Sequence, residues 1–268
     1  MNEINRLQAL RSAFAAGTLP KAEYIEKMHG VHTVLHDYAA FLKDSSVKRI
    51  EIEAGEVRMV MSNGLVIVVP PEDHRLAPMD ALNFGSYEED ETAMMLRMVD
   101  DGATVLDIGA NIGWYSLILS RERPKCRVLA FEPIPETFSR LQRHIELNGA
   151  RNVEVFPFGF SDREADPVFY FYPEGSVNAS LADLSGRQST KKVQCHVKRL
   201  DDFVRKHGLN LDFIKCDVEG AELLVFQGGE DVLREQKPAI FTEMLRKWSA
   251  KFDYHPNQII ELFARLGY

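Results

Sequence analysis

No apolar run in this sequence is long enough to cross a bilayer. Leu65–Pro70 and Ser116–Ser120 stand among the longest, against roughly 20 residues for a spanning helix. The opening residues, MNEINRLQAL, are polar and lack the apolar core of a secretory signal. Cysteine is scarce. Cys126, Cys195 and Cys216 are odd in number and match no zinc spacing, so they read as free, buried thiols. Free thiols imply a reducing compartment, and the expected location is the cytoplasm. Basic residues are outnumbered, 32 against 40 acidic, for a formal net charge of −8. Phosphate binding needs clustered Lys and Arg, so this balance argues against nucleic acid as the main partner. Repeats and low-complexity tracts are also missing. What remains is ordinary for a globular protein: 268 residues, 45% hydrophobic and 27% charged. That suits one α/β domain with an accessory segment.

The pattern divides near residue 82. Ile4, Leu7, Leu10 and Phe14 recur at helical spacing, and Gly17–Pro20 breaks the run. A second helix is predicted over 22–42, giving a pair suited to packing or homo-oligomer formation. Val47–Val69 predicts an antiparallel β-meander, with Asn63-Gly64 as a hairpin signal. Residues 72–88 are turn-rich and read as irregular, followed by a helix over 89–99. Beyond them the chain alternates. Strands are predicted at 104–108, 127–131, 153–158, 211–217 and 238–243, and helices at 113–121, 135–147, 201–206, 221–227 and 256–266. An antiparallel pair, 168–172 and 192–197, interrupts the series around a polar loop, 173–190. This predicts a doubly wound, mostly parallel, Rossmann-like α/β sheet over 83–268, preceded by a helical and meander extension over 1–82. Ligands bind at the carboxyl ends of such strands, where Asp107, Glu132, Gly159, Asp217 and Glu243 all fall.

The stretch Thr104–Tyr115, TVLDIGANIGWY, reads as a strand that turns on glycines into a helix start. Gly109 and Gly113 lack a Cβ, so a ligand can approach the backbone, and the helix start offers free N–H groups. Asp107 before the turn disfavours a bare phosphate and favours a cationic or hydroxylated ligand. Glu132 ends the next strand, where a carboxylate accepts both ribose hydroxyls.

These residues carry a resemblance. VLDIGANIGWYSL with FEP resembles the class I S-adenosylmethionine-dependent methyltransferases, and DFIKCDVEGAE at Asp212–Glu222 resembles their FkbM-type subgroup. The likeness covers roughly 83–268. It implies O-methyl transfer from S-adenosylmethionine to a hydroxyl of a sugar or polyketide-type small molecule. By position, Gly109, Ala110, Asn111 and Gly113 would wrap the methionine end, and Asp107 would face its amino group. Glu132 would hold the ribose, with Tyr115 and Pro133 in the same donor set. Phe160, Ser161 and Asp162 would meet the adenine, Phe160 by stacking.

The reaction itself is expected at Lys215, Asp217 and Glu219, which share one side if the strand stays extended. Asp217 or Glu219 would take the acceptor's proton. The same cluster also reads as an ion pair that seals the strand end. Asp217, Glu219 and Glu243 offer oxygen ligands for Mg²⁺, although no Asp-Asp pair supports a metal and no metal site is assigned. His196, His207 and His255 are isolated, with His255 the alternative base. Trp114, Tyr115, Phe84, Tyr87, Trp248 and Tyr254 flank the expected mouth. The glycine spacing disfavours a nicotinamide-dependent oxidoreductase, while a non-catalytic S-adenosylmethionine-binding scaffold is the alternative. Class I sheets add an antiparallel strand pair after the last helix. Here the sequence stops at Gly267-Tyr268, so either it is a piece of a longer protein or the sheet is finished by something else, with the edge of the fifth strand covered by a second copy or by the meander.

Overall fold

The computed structural model describes residues 3–183 and 189–268, so part of the polar loop lies outside the described residues. Its leading helices are α1 (Glu3–Ala15), α2 (Lys21–His32) and α3 (Val34–Phe41). The single helix expected over 22–42 is thus divided at Thr33, whose hydroxyl donates to the Gly30 carbonyl at 2.9 Å. Neither α2 nor α3 buries a residue. Strands β1 (Val47–Glu53), β2 (Glu56–Met61) and β3 (Val66–Val68) form the expected antiparallel meander. Gly64 turns with φ +82°, and the Asn63 side chain accepts the Leu65 N–H at 3.1 Å.

The stretch read as irregular contains a helix, α4 (Ala77–Phe84), which buries Ala77, Pro78, Ala81 and Leu82. Pro78 masks it in the sequence, yet proline is tolerated in a first helical turn because its missing N–H would be unpaired there anyway. Helix α5 (Glu89–Met98) then leads into β4 (Thr104–Ile108). The alternation proceeds through α6 (Trp114–Glu122), β5 (Arg127–Phe131), α7 (Pro135–Leu147) and β6 (Val153–Phe156). Short β7 (Gly159–Phe160) follows, then β8 (Val168–Phe171), β9 (Lys191–Gln194) and β10 (Val197–Lys198). As expected, β8 and β9 pair antiparallel, while β7 and β10 form a parallel pair that the sequence did not signal. The chain closes with α8 (Leu200–His207), β11 (Phe213–Cys216), α9 (Glu222–Gln227), α10 (Glu230–Gln236), β12 (Ala239–Thr242), α11 (Arg246–Ser249) and α12 (Asn257–Leu266).

The main sheet is parallel, in the order β12-β11-β4-β5-β6. Strand order reverses between β4 and β11, which places the ligand crevice at their carboxyl ends. Register sets Lys215 beside Asp107. Alternation along β4 then decides what each face carries. Val105 joins a core with Met61, Ile67, Met95 and Leu117, and Leu106 and Ile108 join an opposite one with Phe131, Ile214 and Phe226. Each fully buried aliphatic side chain here contributes about 1.5–3 kcal/mol.

The meander seats on α7, away from the β12 edge. Asn148 exchanges two 2.8 Å bonds with the Val66 backbone. His144 accepts the Val68 N–H at 3.1 Å and donates to the Ile112 carbonyl at 2.9 Å. Among the described residues β12 pairs only with β11.

Candidate active site

The β4–α6 turn forms one wall of a cleft of about 270 Å³. Its two glycines are needed by the protein itself. Gly109 has φ +75°, and a Cβ there would overlap the Asp217 carbonyl oxygen. Gly113 has φ +90°, and a Cβ would meet Leu141 Cδ1 at 2.6 Å. The turn is therefore packed against the loop after β11 on one side and against α7 on the other. Gly109, Ala110 and Asn111 line the cleft, as do Tyr115, Lys215, Asp217 and Glu219.

Lys215 is the hub. Its ammonium donates to the Gly109 carbonyl at 2.9 Å and lies 3.4 Å from Asp107 Oδ1 and 3.8 Å from Asp217 Oδ2. Burial pulls its pKa down, but Asp107 and Asp217 outweigh that and hold it above the usual lysine range. Asp107 is 1% exposed, and its Oδ2 accepts the Ser116 hydroxyl at 2.6 Å. Lys215 is thus ion-paired, with Asp107 as the main counter-ion, and because β11 ends at Cys216 the extended strand does not continue and Asp217 and Glu219 reach the cleft from the loop that follows. Asp107 itself does not line the cleft.

The acidic motif after β11 divides its labour. Asp217 remains 39% exposed at the cleft. Glu219, at φ +53°, lines the same cleft, and its Oε2 is buried without a hydrogen-bond partner. Burial, with Asp217 and Glu243 adding repulsion, pushes Glu219 up to about 9. Glu222 turns inward instead. It accepts the N–H groups of Val218 and Gly220 at 3.0 and 3.1 Å and the Tyr254 hydroxyl at 3.2 Å. That staple shapes the loop that presents Asp217 and Glu219, and Tyr254 serves it rather than the mouth.

Glu132 is buried, accepting the Asn111 N–H at 3.1 Å and the Ile134 N–H at 2.8 Å. Burial pushes it up to about 7. Each carboxylate oxygen keeps a free lone pair. Ile134 packs with Phe169, Phe171, Cys195 and Val197, so the β8–β9 hairpin sits against this corner. Pro133 packs near Gly159. The Phe160 ring is enclosed by Phe131, Phe158 and Phe203 and is 3% exposed, so it offers no open face for stacking. Ser161 donates to Asp162 at 3.1 Å, beside Phe160 and outside the cleft.

Of the histidines, His196 is held by Asp166 and Glu164 at the surface. His207 Nδ1 donates to the Phe203 carbonyl at 2.8 Å. His255 lines a separate cavity with Leu223 and Gln227. Among the described residues no three His, Cys, Asp or Glu side chains are grouped as metal ligands. Trp114, Tyr87 and Trp248 do line the cleft, whereas Phe84 is 79% exposed and does not.

Sequence reasoning missed Glu88, Arg75, Asp80 and Lys247, which also line the cleft. Glu88 has φ +45°, one of three non-glycine residues at the cleft in left-handed backbone, with Asn111 and Glu219. Such backbone costs of order 1–3 kcal/mol per residue and concentrates at functional sites. An acidic run, EEDE, was the available signal for Glu88.

Residues 107–268 match the family described as the methyltransferase FkbM domain. The chain is 34% identical over 149 residues to Methyltransferase 1 of Beauveria bassiana, covering 49% of this chain and 60% of the relative. It is 28% identical over 283 residues to the AMB antimetabolite synthetase AmbE of Pseudomonas aeruginosa, covering 89% of this chain and 13% of that protein. It is 30% identical over 155 residues to the 2-O-methyltransferase NoeI of Sinorhizobium fredii, covering 52% of this chain and 62% of the relative. The chain thus spans less than two thirds of the length of each of these relatives.

Proposed function

The chain belongs to the FkbM methyltransferase family, and from that premise we propose that it transfers a methyl group from S-adenosylmethionine to a hydroxyl oxygen of a small acceptor. A sugar or polyketide-type acceptor is the class favoured by the family resemblance, and transfer to oxygen is in keeping with the name of the 2-O-methyltransferase relative. The observation that carries the reading is the meeting of the β4–α6 turn and the Asp217–Glu219 loop across Lys215 in one cleft. The three buried thiols agree with action in the reducing cytoplasm.

The residues present fit the donor. Asn111 Oδ1 is buried without a hydrogen-bond partner, and Glu132 retains acceptor capacity for ribose hydroxyls. When bound, S-adenosylmethionine supplies an electrophilic methyl on a cationic sulfonium. The surplus of carboxylates over cations around the cleft favours that charge. Asp217 would take the acceptor hydroxyl's proton as the oxygen gains the methyl and the methyl–sulfur bond breaks, leaving a neutral thioether. Glu219, pushed up to about 9, holds a proton at neutral pH and donates a hydrogen bond to the acceptor instead. Lys215 keeps Asp217 in place and neutralises Asp107. Positioning by the two loops supplies the larger share of the rate, and the base adds about 10²–10⁴-fold.

The test is calorimetric titration with S-adenosylhomocysteine, followed by transfer of labelled methyl to a panel of sugars. Absence of binding at millimolar ligand refutes the donor. Binding without transfer to any acceptor favours the scaffold reading.

A further inference from the structure

The donor's amino-acid arm carries an ammonium group, and Asp107 does not line the cleft. Its Oδ2 accepts the Ser116 hydroxyl, and its buried Oδ1, without a hydrogen bond, faces the Lys215 ammonium at 3.4 Å. Lys215 also occupies the Gly109 carbonyl, the acceptor that the turn would otherwise offer. Three carboxylates at the cleft have no ion pair with a described residue: Glu88, Glu219 and Glu243. Glu219 and Glu243 belong to the loops after β11 and β12 and share Lys247 as a nearby cation.

Glu88 differs in its support. It precedes α5, and its Oε2 accepts the Tyr115 hydroxyl at 2.8 Å, in the first turn of the helix that follows the glycines. The Tyr87 hydroxyl faces the same carboxylate. Its left-handed backbone, φ +45°, turns it toward this wall at a cost in strain. Burial raises its pKa from the ordinary carboxylate value, against the opposing pull of the Tyr115 and Tyr87 hydroxyls and of Lys215.

We propose that Glu88 receives the ammonium of the donor's amino-acid arm, with Tyr115 orienting its carboxylate. The assignment rests on the donor reading above. It gives the segment before the matched family region a direct part in donor binding.

The experiment compares two probes by calorimetry: S-adenosylhomocysteine, and 5′-methylthioadenosine, which keeps the nucleoside and thioether but lacks the amino-acid arm. Glu88→Gln should weaken S-adenosylhomocysteine about 10–100-fold, the scale of a charged hydrogen bond, and leave methylthioadenosine within about twofold. Tyr115→Phe should give a smaller loss of the same selectivity. If Glu88→Gln loses both probes together, Tyr115→Phe decides, and an unchanged ratio between the probes overturns the proposal. Wild-type binding that Glu88→Gln leaves unchanged overturns this assignment alone. No wild-type binding of S-adenosylhomocysteine overturns the donor reading with it.

Discussion

The Lys215 ammonium donates a 2.9 Å hydrogen bond to the carbonyl oxygen of Gly109, joining the end of β11 to the glycine turn after β4. The same ammonium faces Asp107, its neighbour in strand register. The loop that would hold a donor and the loop that would do chemistry are therefore tied by one buried cation.

Lys215→Met should leave Asp107 buried without its counter-ion. Removing one partner of a buried pair costs about 3–5 kcal/mol. For a chain of this size that lowers the melting temperature by roughly 10 °C, at about 2–4 °C per kcal/mol. Adding Asp107→Asn should recover part of the loss, because the pair and not either charge alone fits the site. Thermal melts of the two single variants and the double variant measure the coupling.

Asp217→Asn should reduce methyl transfer by about 10²–10⁴-fold while S-adenosylhomocysteine affinity stays within about threefold. Glu219→Gln should cost less, since the amide still donates a hydrogen bond. Equal losses in the two variants, measured by single-turnover transfer, would count against Asp217 as the base.

Stability should fall as pH rises. Glu132 and Glu219 are raised in the folded state from 4.5 to about 7 and about 9. The fold binds their protons more tightly than the unfolded chain does, so their contribution is complete below about pH 4.5 and is lost through pH 7 and then 9. Glu219→Gln should flatten the upper part of that decline. Melting temperatures of the ligand-free protein from pH 5 to 9 check the slope.

Gly109→Ala should destabilise by about 2–4 kcal/mol, from left-handed backbone plus overlap with the Asp217 carbonyl. Gly102 also has positive φ, +114°, but open space where its Cβ would go. Gly102→Ala should show the backbone strain alone. Urea midpoints of the two variants separate strain from overlap, and equal losses would refute the close approach.

His144→Leu should cost about 2–4 kcal/mol, because it leaves the Val68 N–H and the Ile112 carbonyl without their shared partner. Hydrogen exchange at the Val68 amide should accelerate more than at Val105 in the central strand.

Part of the site was legible because its signals are local. Gly109, Asn111, Asp217 and Glu219 sit at strand ends that apolar runs and glycines mark within a few residues. Glu222 ends the same acidic motif, yet it folds back as a staple on Val218 and Gly220. Phe160 looked available for stacking, but its ring completes an aromatic cluster with residues that strand pairing brings near. Glu88 gave no signal beyond charge, because its partner Tyr115 lies on another element.

Local sequence alone dictates the alternating parallel sheet, the glycine turn and the carboxylates at the strand ends. Periodicities of 2 and 3.6 and the conformational freedom of glycine act over a few residues, whatever the rest of the chain does. Tertiary structure decided which charge meets which. Lys215 faces Asp107 through the register of β11 on β4, and Glu132 lies buried against backbone N–H groups near the β8–β9 hairpin. Charge partners and burial depend on residues distant in the chain, and only their packing sets the distance and the local dielectric that make a carboxylate a counter-ion, a proton acceptor or a staple.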